Sequence, residues 1–357
     1  MLTISSAIIR NDYLHLSKDD LKNICIDLKM PNDGTKEDLI NRIFDYLKCN
    51  PNLKEPTFKP FENHLYTGKT SLTWYSFEPK DSLERSKDKI QQFLKDKNIF
   101  NEVVLPPNNE IFSNPIPFSG ISIDERSYYL RFIYRSANKP IYQGNEVTVE
   151  PKMEIVTVLV DEINNCIEIR NSKKSKTIAE KFAKMVGENV FLKPKKISEI
   201  CNNDIEFIAN KLNGRLIDST SKPELIFDDF DQSQSKAVFN MLKALDAFFE
   251  DDDIDNLSVN LKEARSNLGK RAEGVPFTAL VLAGLQKVGL GVNDSDLRNN
   301  QLYMYLNDYM QHQGGYISFD YEEESYTIRV VFSTNSINFL TPATEEVIKY
   351  LRNTILH

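Results

Sequence analysis

Apolar residues recur three and four positions apart in two short segments near the start of the chain, and this spacing predicts two amphipathic helices. Ser17 and Thr35 stand where helix N-caps belong, so we expect the helices to begin at Lys18 and just after Thr35. Pro31 and Gly34 lie between them and favour a stiff turn. The apolar faces are Leu21, Ile24, Cys25 and Leu28 in the first helix, and Leu39, Ile40, Ile43 and Leu47 in the second.

This stretch, residues 14–48, resembles the SAP family of DNA-binding helix-extension-helix motifs. In that family a Leu-rich first helix is followed by a Gly-Thr-Lys or Gly-Lys-Lys turn and then by Leu-Ile-x-Arg-Leu. The matching positions are Leu21, Leu28, Gly34, Thr35, Lys36, Leu39, Ile40, Arg42 and Ile43. The resemblance covers about a tenth of the chain, and we recognise no family in the remainder.

The resemblance implies binding to duplex DNA with low sequence specificity, with the turn and the start of the second helix facing the sugar-phosphate backbone. By residue type, Lys36 and Arg42 would neutralise phosphates, and the amides after Gly34 would present a helix N-terminus to an anion. The DNA-binding residues predicted in this way are Lys18, Lys22, Lys29, Gly34, Thr35, Lys36 and Arg42.

The charge balance of the segment keeps a second interpretation open. Residues 16–47 contain five Lys or Arg but seven Asp or Glu. A phosphate-binding surface usually has the opposite balance. The alternative is that the same two-helix shape docks another protein.

Beyond the two helices, the pattern predicts an α+β protein. Three prolines and the lack of an apolar period predict a linker over residues 51–64. Alternating β-branched and aromatic runs, with a helix after the last run, predict antiparallel hairpins over residues 65–196. Helical periodicity then dominates residues 197–357, which we expect to end in a β-β-α unit. The domains expected are therefore 1–50, 51–64, 65–196 and 197–357.

Composition narrows the class of protein. At 357 residues and 41% hydrophobic content the chain can form several domains with cores. A net charge of −8 disfavours coating of nucleic acid by bulk attraction, so DNA binding must be local. The four cysteines form no CxxC pair, and we predict neither a metal site nor a cofactor. No signal or membrane-spanning pattern appears, so we expect no membrane partner and a cytoplasmic protein, nucleoid-associated in a bacterium or nuclear in a eukaryote.

Charge is segregated along the chain. Residues 120–200 hold 14 Lys and Arg against 11 Asp and Glu, whereas residues 201–260 hold 5 against 13. The basic region predicts a second nucleic-acid surface, with an ordinary solvated face as the alternative. The acidic helices could bind a basic protein partner. The residues of the predicted second surface are Arg131, Arg135, Lys173, Lys174, Lys176, Lys195 and Lys196.

Catalytic motifs are weak, and we lean towards a protein that is not an enzyme. The four histidines stand in no catalytic context. Asp161 followed by Glu168 approaches a nuclease pattern, but a two-metal site needs carboxylates that converge, and a surface hairpin explains them as well. Two rival functions stay open: a nucleic-acid-cleaving or sensing effector of a genome-defence or mobile-element system, and a protein-interaction scaffold.

Overall fold

The computed structural model has helices and antiparallel strands in the predicted α+β class. It describes residues 2–223 except 96 and 145, then 236, 240, 243, 244, 247, 258–263, 266, 296–299 and 310–356. The chain divides into two compact units, residues 1–196 with 336–357, and residues 197–335. No helix in the described part of the chain is both long and apolar enough to cross a membrane.

The first unit begins with four helical segments, of which the two predicted helices start at the expected residues, Lys18 and Lys36. The segments are α1 (Ile4–Ala7), a 3-10 helix (Arg10–His15), α2 (Lys18–Asp27) and α3 (Lys36–Cys49). Ser17 accepts a hydrogen bond from the Asp20 amide at 3.0 Å, and Thr35 accepts one from the Asp38 amide at 3.2 Å. Both aspartates return the bond to the cap backbone, which completes a capping box at each helix.

Residues 51–64 do not form the extended linker predicted for them. They fold as a 3-10 helix (Pro51–Leu53), α4 (Lys54–Phe58), a second 3-10 helix (Lys59–Phe61) and the start of α5 (Glu62–Leu65). Proline is tolerated in the first turn of a helix, where its missing amide would have no partner, and the prolines of this segment occupy such positions. Phe58 and Leu65 are fully buried, so the segment is part of the core.

The two-helix module shares one hydrophobic core with the sheet. Leu21, Ile24, Leu39 and Ile43 pack in a cluster that also contains the segment's Phe58. Three sheet residues belong to the same cluster, namely Ile121, Tyr129 and Leu159. The module is therefore packed against the body and is not a tethered appendage.

The sheet of the first unit is antiparallel throughout. Its strands are β1 (Ser71–Glu78), β2 (Ile116–Ser122), β3 (Ser127–Gln143), β4 (Glu146–Asp161), β5 (Cys166–Arg170), β6 (Phe191–Pro194) and β10 (Ser336–Phe339). They run in the order β2-β3-β4-β5-β1, and the far edge of β1 pairs with β10 near its start and β6 near its end.

Side chains alternate between the two faces of this sheet. One face packs against the two-helix module, and the other is covered by α6 (Ser86–Leu94) and α7 (Ser175–Val186). The inward face of α7 consists of Ile178, Phe182, Met185 and Val186, which are all buried. The C-terminal helix, α10 (Glu345–Leu356), completes the unit.

Strands β3 and β4 extend beyond the rest of the sheet. Their pairing runs from Ser127 opposite Asp161 to Gln143 opposite Glu146, whereas β2 stops pairing at Ile133. On the other side, β5 pairs only with the last four residues of β4. Residues 137–144 and 146–152 therefore form a two-stranded outer ribbon, on which Tyr142 and two valines are exposed.

The second unit contains α8 (Ile197–Ile200), α9 (Ile205–Lys211) and a three-stranded antiparallel sheet. Its strands are β7 (Arg215–Pro223), β8 (Met310–Tyr321) and β9 (Glu324–Val331), with a 3-10 turn at Leu297–Asn299. Most of the helical and acidic stretches predicted between residues 224 and 309, including the surface for a basic partner, lie outside the described residues.

The predicted β-β-α ending is a β-β-β-α ending, because Ser336–Phe339 forms a further strand before α10. That strand and α10 belong to the first unit, whereas the sequence assigned them to the C-terminal domain. The strand belongs to the first unit because β10 pairs with β1. Pairing between residues so far apart in the chain cannot be predicted from local periodicity.

Candidate nucleic-acid interface

The turn between α2 and α3, residues 31–35, is exposed along its whole length, and we call it the corner. Helix α2 ends in a left-handed residue, Lys29, and the amide of Met30 donates to the carbonyl of Cys25 at 2.8 Å. Gly34 has φ +107°, and a Cβ added there would lie 3.0 Å from the Asp38 carboxylate that caps α3. Both the backbone conformation and the space at this position therefore require glycine.

Arg42 holds the corner in place. Its guanidinium donates to the carbonyls of Pro31 and Asp33, the latter at 3.1 Å, and it lies 3.9 Å from the Asp33 carboxylate. The side chain is only 30% exposed. Arg42 therefore positions the backbone of the corner, and the phosphate contact predicted for it would have to use the remaining guanidinium edge.

Three lysines present cations around the corner. Lys36 donates one hydrogen bond to the carbonyl of Leu14 at 2.8 Å, and an ammonium has two further donors. Lys18 and Lys29 are exposed. Lys22 is half-buried and pairs with Asp19 at 3.2 Å, so its charge is already compensated.

Local contacts account for much of the acidic excess in this segment. Asp20 and Asp38 serve as the reciprocal residues of the two capping boxes, and Asp33 lies beside Arg42. Hydrogen bonds from Thr35, with weaker attraction from Arg42 and Lys18, hold the pKa of Asp38 below its usual range. These carboxylates therefore have structural roles within the module, in the helix caps and beside the corner.

Arg131, predicted to belong to a second basic surface, is instead fully buried, so this prediction is wrong. Its guanidinium donates to the Asp12 carboxylate at 2.5 Å and to the Ala7 carbonyl at 3.2 Å. It lies 4.5 Å from the centre of the Tyr66 ring. Burial alone would lower the pKa of Arg131, but Asp12 and Tyr66 raise it above its usual value. Position 131 falls on the sheet face that packs against the N-terminal helices, which explains the burial.

The other members of that predicted surface are dispersed. Lys174 donates to the Ser113 carbonyl at 2.9 Å and lies over the Tyr134 ring at 4.8 Å. Arg135 is half-buried and bonds to Asn138. Lys173 and Lys176 are exposed near the start of α7, on the opposite side of the sheet from the module, and Lys195 and Lys196 follow β6. They therefore do not extend the surface at the corner.

The carboxylates of the nuclease-like pattern have structural roles. Both oxygens of Glu168 are occupied: one accepts two bonds from Arg170, and the other accepts from Trp74 at 2.9 Å and Arg352 at 3.0 Å. Burial alone would raise the pKa of Glu168, but Arg352 and Arg170 lower it below its usual value. Asp161 caps the hairpin turn by accepting from the Asn164 amide at 3.0 Å.

Glu168 thus has no oxygen left for a cation in this arrangement. Among the residues that the structure describes, no group of three or more His, Cys, Asp or Glu could hold a metal ion.

A cavity of about 220 Å³ lies between the 3-10 helix at Arg10–His15 and the sheet. Its floor contains two buried guanidiniums, Arg131 and Arg170, and its walls include Asn11, Leu14, Ile155 and Thr157. Sequence reasoning missed this cavity, because its residues come from separate segments and share no spacing. Their convergence depends on strand pairing, such as that of Arg131 with Thr157.

The chain matches no known protein-family model and no curated protein.

Proposed function

We propose that the protein binds duplex DNA with low sequence specificity, and that the corner between α2 and α3 contacts the sugar-phosphate backbone. The observation that carries the proposal is the exposure of residues 31–35 together with three basic side chains around them, Lys18, Lys29 and Lys36. Phosphate contacts of this kind position a protein on DNA without reading its sequence.

Lys36 is the central residue in this proposal. It stands at the first position of α3, where the amides of Lys36 and Glu37 precede the first intrahelical bond. A phosphate at this point would meet an ammonium and a helix N-terminus together. Gly34 and Arg42 act as positioning residues, because one permits the backbone path and the other fixes it.

The interface should be small and sensitive to salt. A protein of net charge −8 is not drawn to DNA by its overall field, so the free energy of binding must come from a few local contacts. Each phosphate neutralised by a lysine releases counterions and contributes about 0.9 to the slope of log affinity against log salt.

The test is a mobility-shift or anisotropy titration of the full chain on a short duplex over a series of salt concentrations. We expect Lys36→Glu to abolish most of the binding, and Lys36→Gln to lower the salt slope by about one. Lys349→Glu provides a matched control, since Lys349 is exposed on α10 and the same charge is reversed there. Equal losses in both charge reversals would show that only net charge matters and would reject the corner as the contact.

The full chain is the right material for this experiment. Deleting residues 1–50 would expose Ile121, Tyr129 and Leu159, which share a core with the module. A loss of binding after such a deletion would therefore report unfolding as readily as loss of the interface.

A further inference from the structure

The cavity adjoins the corner through Leu14. The carbonyl of Leu14 accepts the hydrogen bond from Lys36, and the same residue lines the cavity. Leu14 is 60% exposed, so it stands at the border between the cavity and solvent. A nucleotide whose phosphate lies at Lys36 would thus have its base close to the mouth of the cavity.

Two polar side chains of the cavity are available to a ligand. Thr157 is 8% exposed, and its side-chain hydroxyl makes no hydrogen bond within the described residues. Asn11 likewise has no side-chain hydrogen bond in the described part of the chain. A hydroxyl and an amide can each donate and accept, so together they suit the mixed polar edge of a heterocycle.

The charges of the floor argue against an anion in the cavity. Arg131 is paired with Asp12 at 2.5 Å, and Arg170 is paired with Glu168 at 2.8 Å and with Glu345 at 2.5 Å. The guanidiniums are thus already compensated. The floor therefore has no net positive charge that would attract a phosphate, and the cavity suits a neutral ligand.

The other polar lining residues, His15, Glu154 and Asn171, are already hydrogen-bonded to protein groups, the apolar part of the walls is mainly aliphatic, and the volume is small. Leu14, Met153 and Ile155 line the cavity, and Met153 and Ile155 lie on the same face of β4 because they are two residues apart. Aliphatic side chains pack against the flat faces of a heterocycle. About 220 Å³ lies below the usual range for drug-sized ligands, and it suits a single ring system of about ten non-hydrogen atoms.

We propose that this cavity binds one unpaired nucleobase, with Thr157 and Asn11 bonding its polar edge and the aliphatic walls packing against its faces. The base could be extruded from a DNA strand held at Lys36, a source that rests on the proposed DNA binding, or belong to a free nucleoside. Taking a base out of a duplex costs free energy of unstacking and unpairing, and this cost is smallest for a base that is already unpaired.

The experiment compares three duplexes with the full chain: a perfect duplex, one with a single bulged adenosine, and one with an abasic bulge. We expect the bulged adenosine to bind about tenfold more tightly than the other two, because only it offers an unpaired base. Thr157→Val and Asn11→Ala should remove that gain and leave affinity for the perfect duplex unchanged. Both substitutions spare the core, since one preserves the shape of the side chain and the other lies at an exposed position.

Calorimetry with adenosine and cytidine shows whether the cavity binds a free nucleoside. It also tests the nucleobase site independently of the proposed DNA binding. If a nucleoside releases heat on binding to the wild type but not to Thr157→Val, the nucleobase site is supported. If no duplex binds in the same set of experiments, only the proposed function is rejected. Equal affinity for the adenosine bulge and the abasic bulge, with no heat from either nucleoside, overturns the nucleobase site. If the perfect duplex still binds through Lys36 in that case, the proposed function stands alone.

Discussion

Basic side chains occupy two contrasting regions of the first unit: the corner, with Lys18, Lys29 and Lys36, and the buried side of the sheet, with Arg131 and Arg170. At the corner the cations reach solvent, and only Lys36 bonds to a backbone carbonyl. Under the N-terminal helices, both arginines are at most 1% exposed and each is paired with a carboxylate.

The difference lies in what surrounds each charge. An exposed ammonium is hydrated and can exchange water for a phosphate, so it can serve binding at small cost to stability. A buried guanidinium has lost its water and depends on Asp12 or Glu168 for compensation. The exposed and the buried basic residues cannot be told apart in the sequence, but only the exposed ones are free to bind a partner.

The largest effect should follow from removing a buried charge. Arg131→Met leaves Asp12 buried without its cation, and we expect the free energy of unfolding to fall by about 3–5 kcal/mol. Replacing an exposed cation at the corner with methionine, as in Lys18→Met, should alter it by less than about 0.5 kcal/mol. Urea unfolding of the two variants measures the contrast directly.

A double variant sharpens this comparison. Asp12→Asn combined with Arg131→Met removes both charges, and it should recover part of the stability lost in Arg131→Met alone. Asp12 also accepts from the Ile9 amide at 2.7 Å, so the recovery should be incomplete. Similar losses in Arg131→Met and Lys18→Met would contradict the assignment of Arg131 as a buried structural charge.

These two regions also show what could be predicted from the sequence. The N-caps at Ser17 and Thr35 and the apolar faces of α2 and α3 involve neighbours within one or two turns, so local spacing was enough to predict them. Arg131 and Asp12 are 119 positions apart, and only the pairing of β3 under the N-terminal helices brings them together. Their ion pair and the cavity beside it were therefore outside the reach of local patterns.

The linker shows a different limit. Pro51, Pro56 and Pro60 are compatible both with an extended chain and with the first turns of short helices. What decides between these conformations is the burial of Phe58 and Leu65 against the module and the sheet. That burial is a tertiary interaction, which proline spacing does not encode.

The next largest effect concerns Glu168, which compensates Arg170 and Arg352. Glu168→Gln should lower the free energy of unfolding at neutral pH by about 2–4 kcal/mol, because the buried guanidinium of Arg170 and the partly buried one of Arg352 lose their shared anion. The low pKa of Glu168 stabilises the folded wild type above the ordinary glutamate pKa of about 4.3, and this stability is lost as pH falls below it.

The measurement is urea unfolding of wild type and Glu168→Gln between neutral pH and the acid range. The two should differ most at neutral pH and converge in acid, where the wild-type carboxylate also becomes protonated. A constant difference across the whole range would show that Glu168 carries no charge in the folded protein.

A smaller effect is expected at the corner itself. Gly34→Ala places a methyl group 3.0 Å from the Asp38 carboxylate at φ +107°, and we expect a loss of about 1–2 kcal/mol in unfolding free energy. Lys29→Gly relaxes the other left-handed residue of this turn and should be neutral or slightly stabilising. If Gly34→Ala weakens DNA binding much more than this loss of stability explains, the path of the backbone at the corner is part of the contact.

The smallest effect should come from the outer ribbon, residues 137–144 and 146–152, which lies beyond both neighbouring strands. Among the residues that the structure describes, its two strands pair only with each other, and Tyr142, Val147 and Val149 are 73%, 55% and 57% exposed. Replacing residues 139–150 with a two-residue Asn-Gly turn should therefore change the free energy of unfolding by less than about 1 kcal/mol. The same replacement should leave duplex binding through Lys36 intact, since the ribbon contributes no residue to the corner. A large loss of stability in the shortened variant would mean that the ribbon packs against a surface of the protein and that its exposed apolar side chains belong to the core.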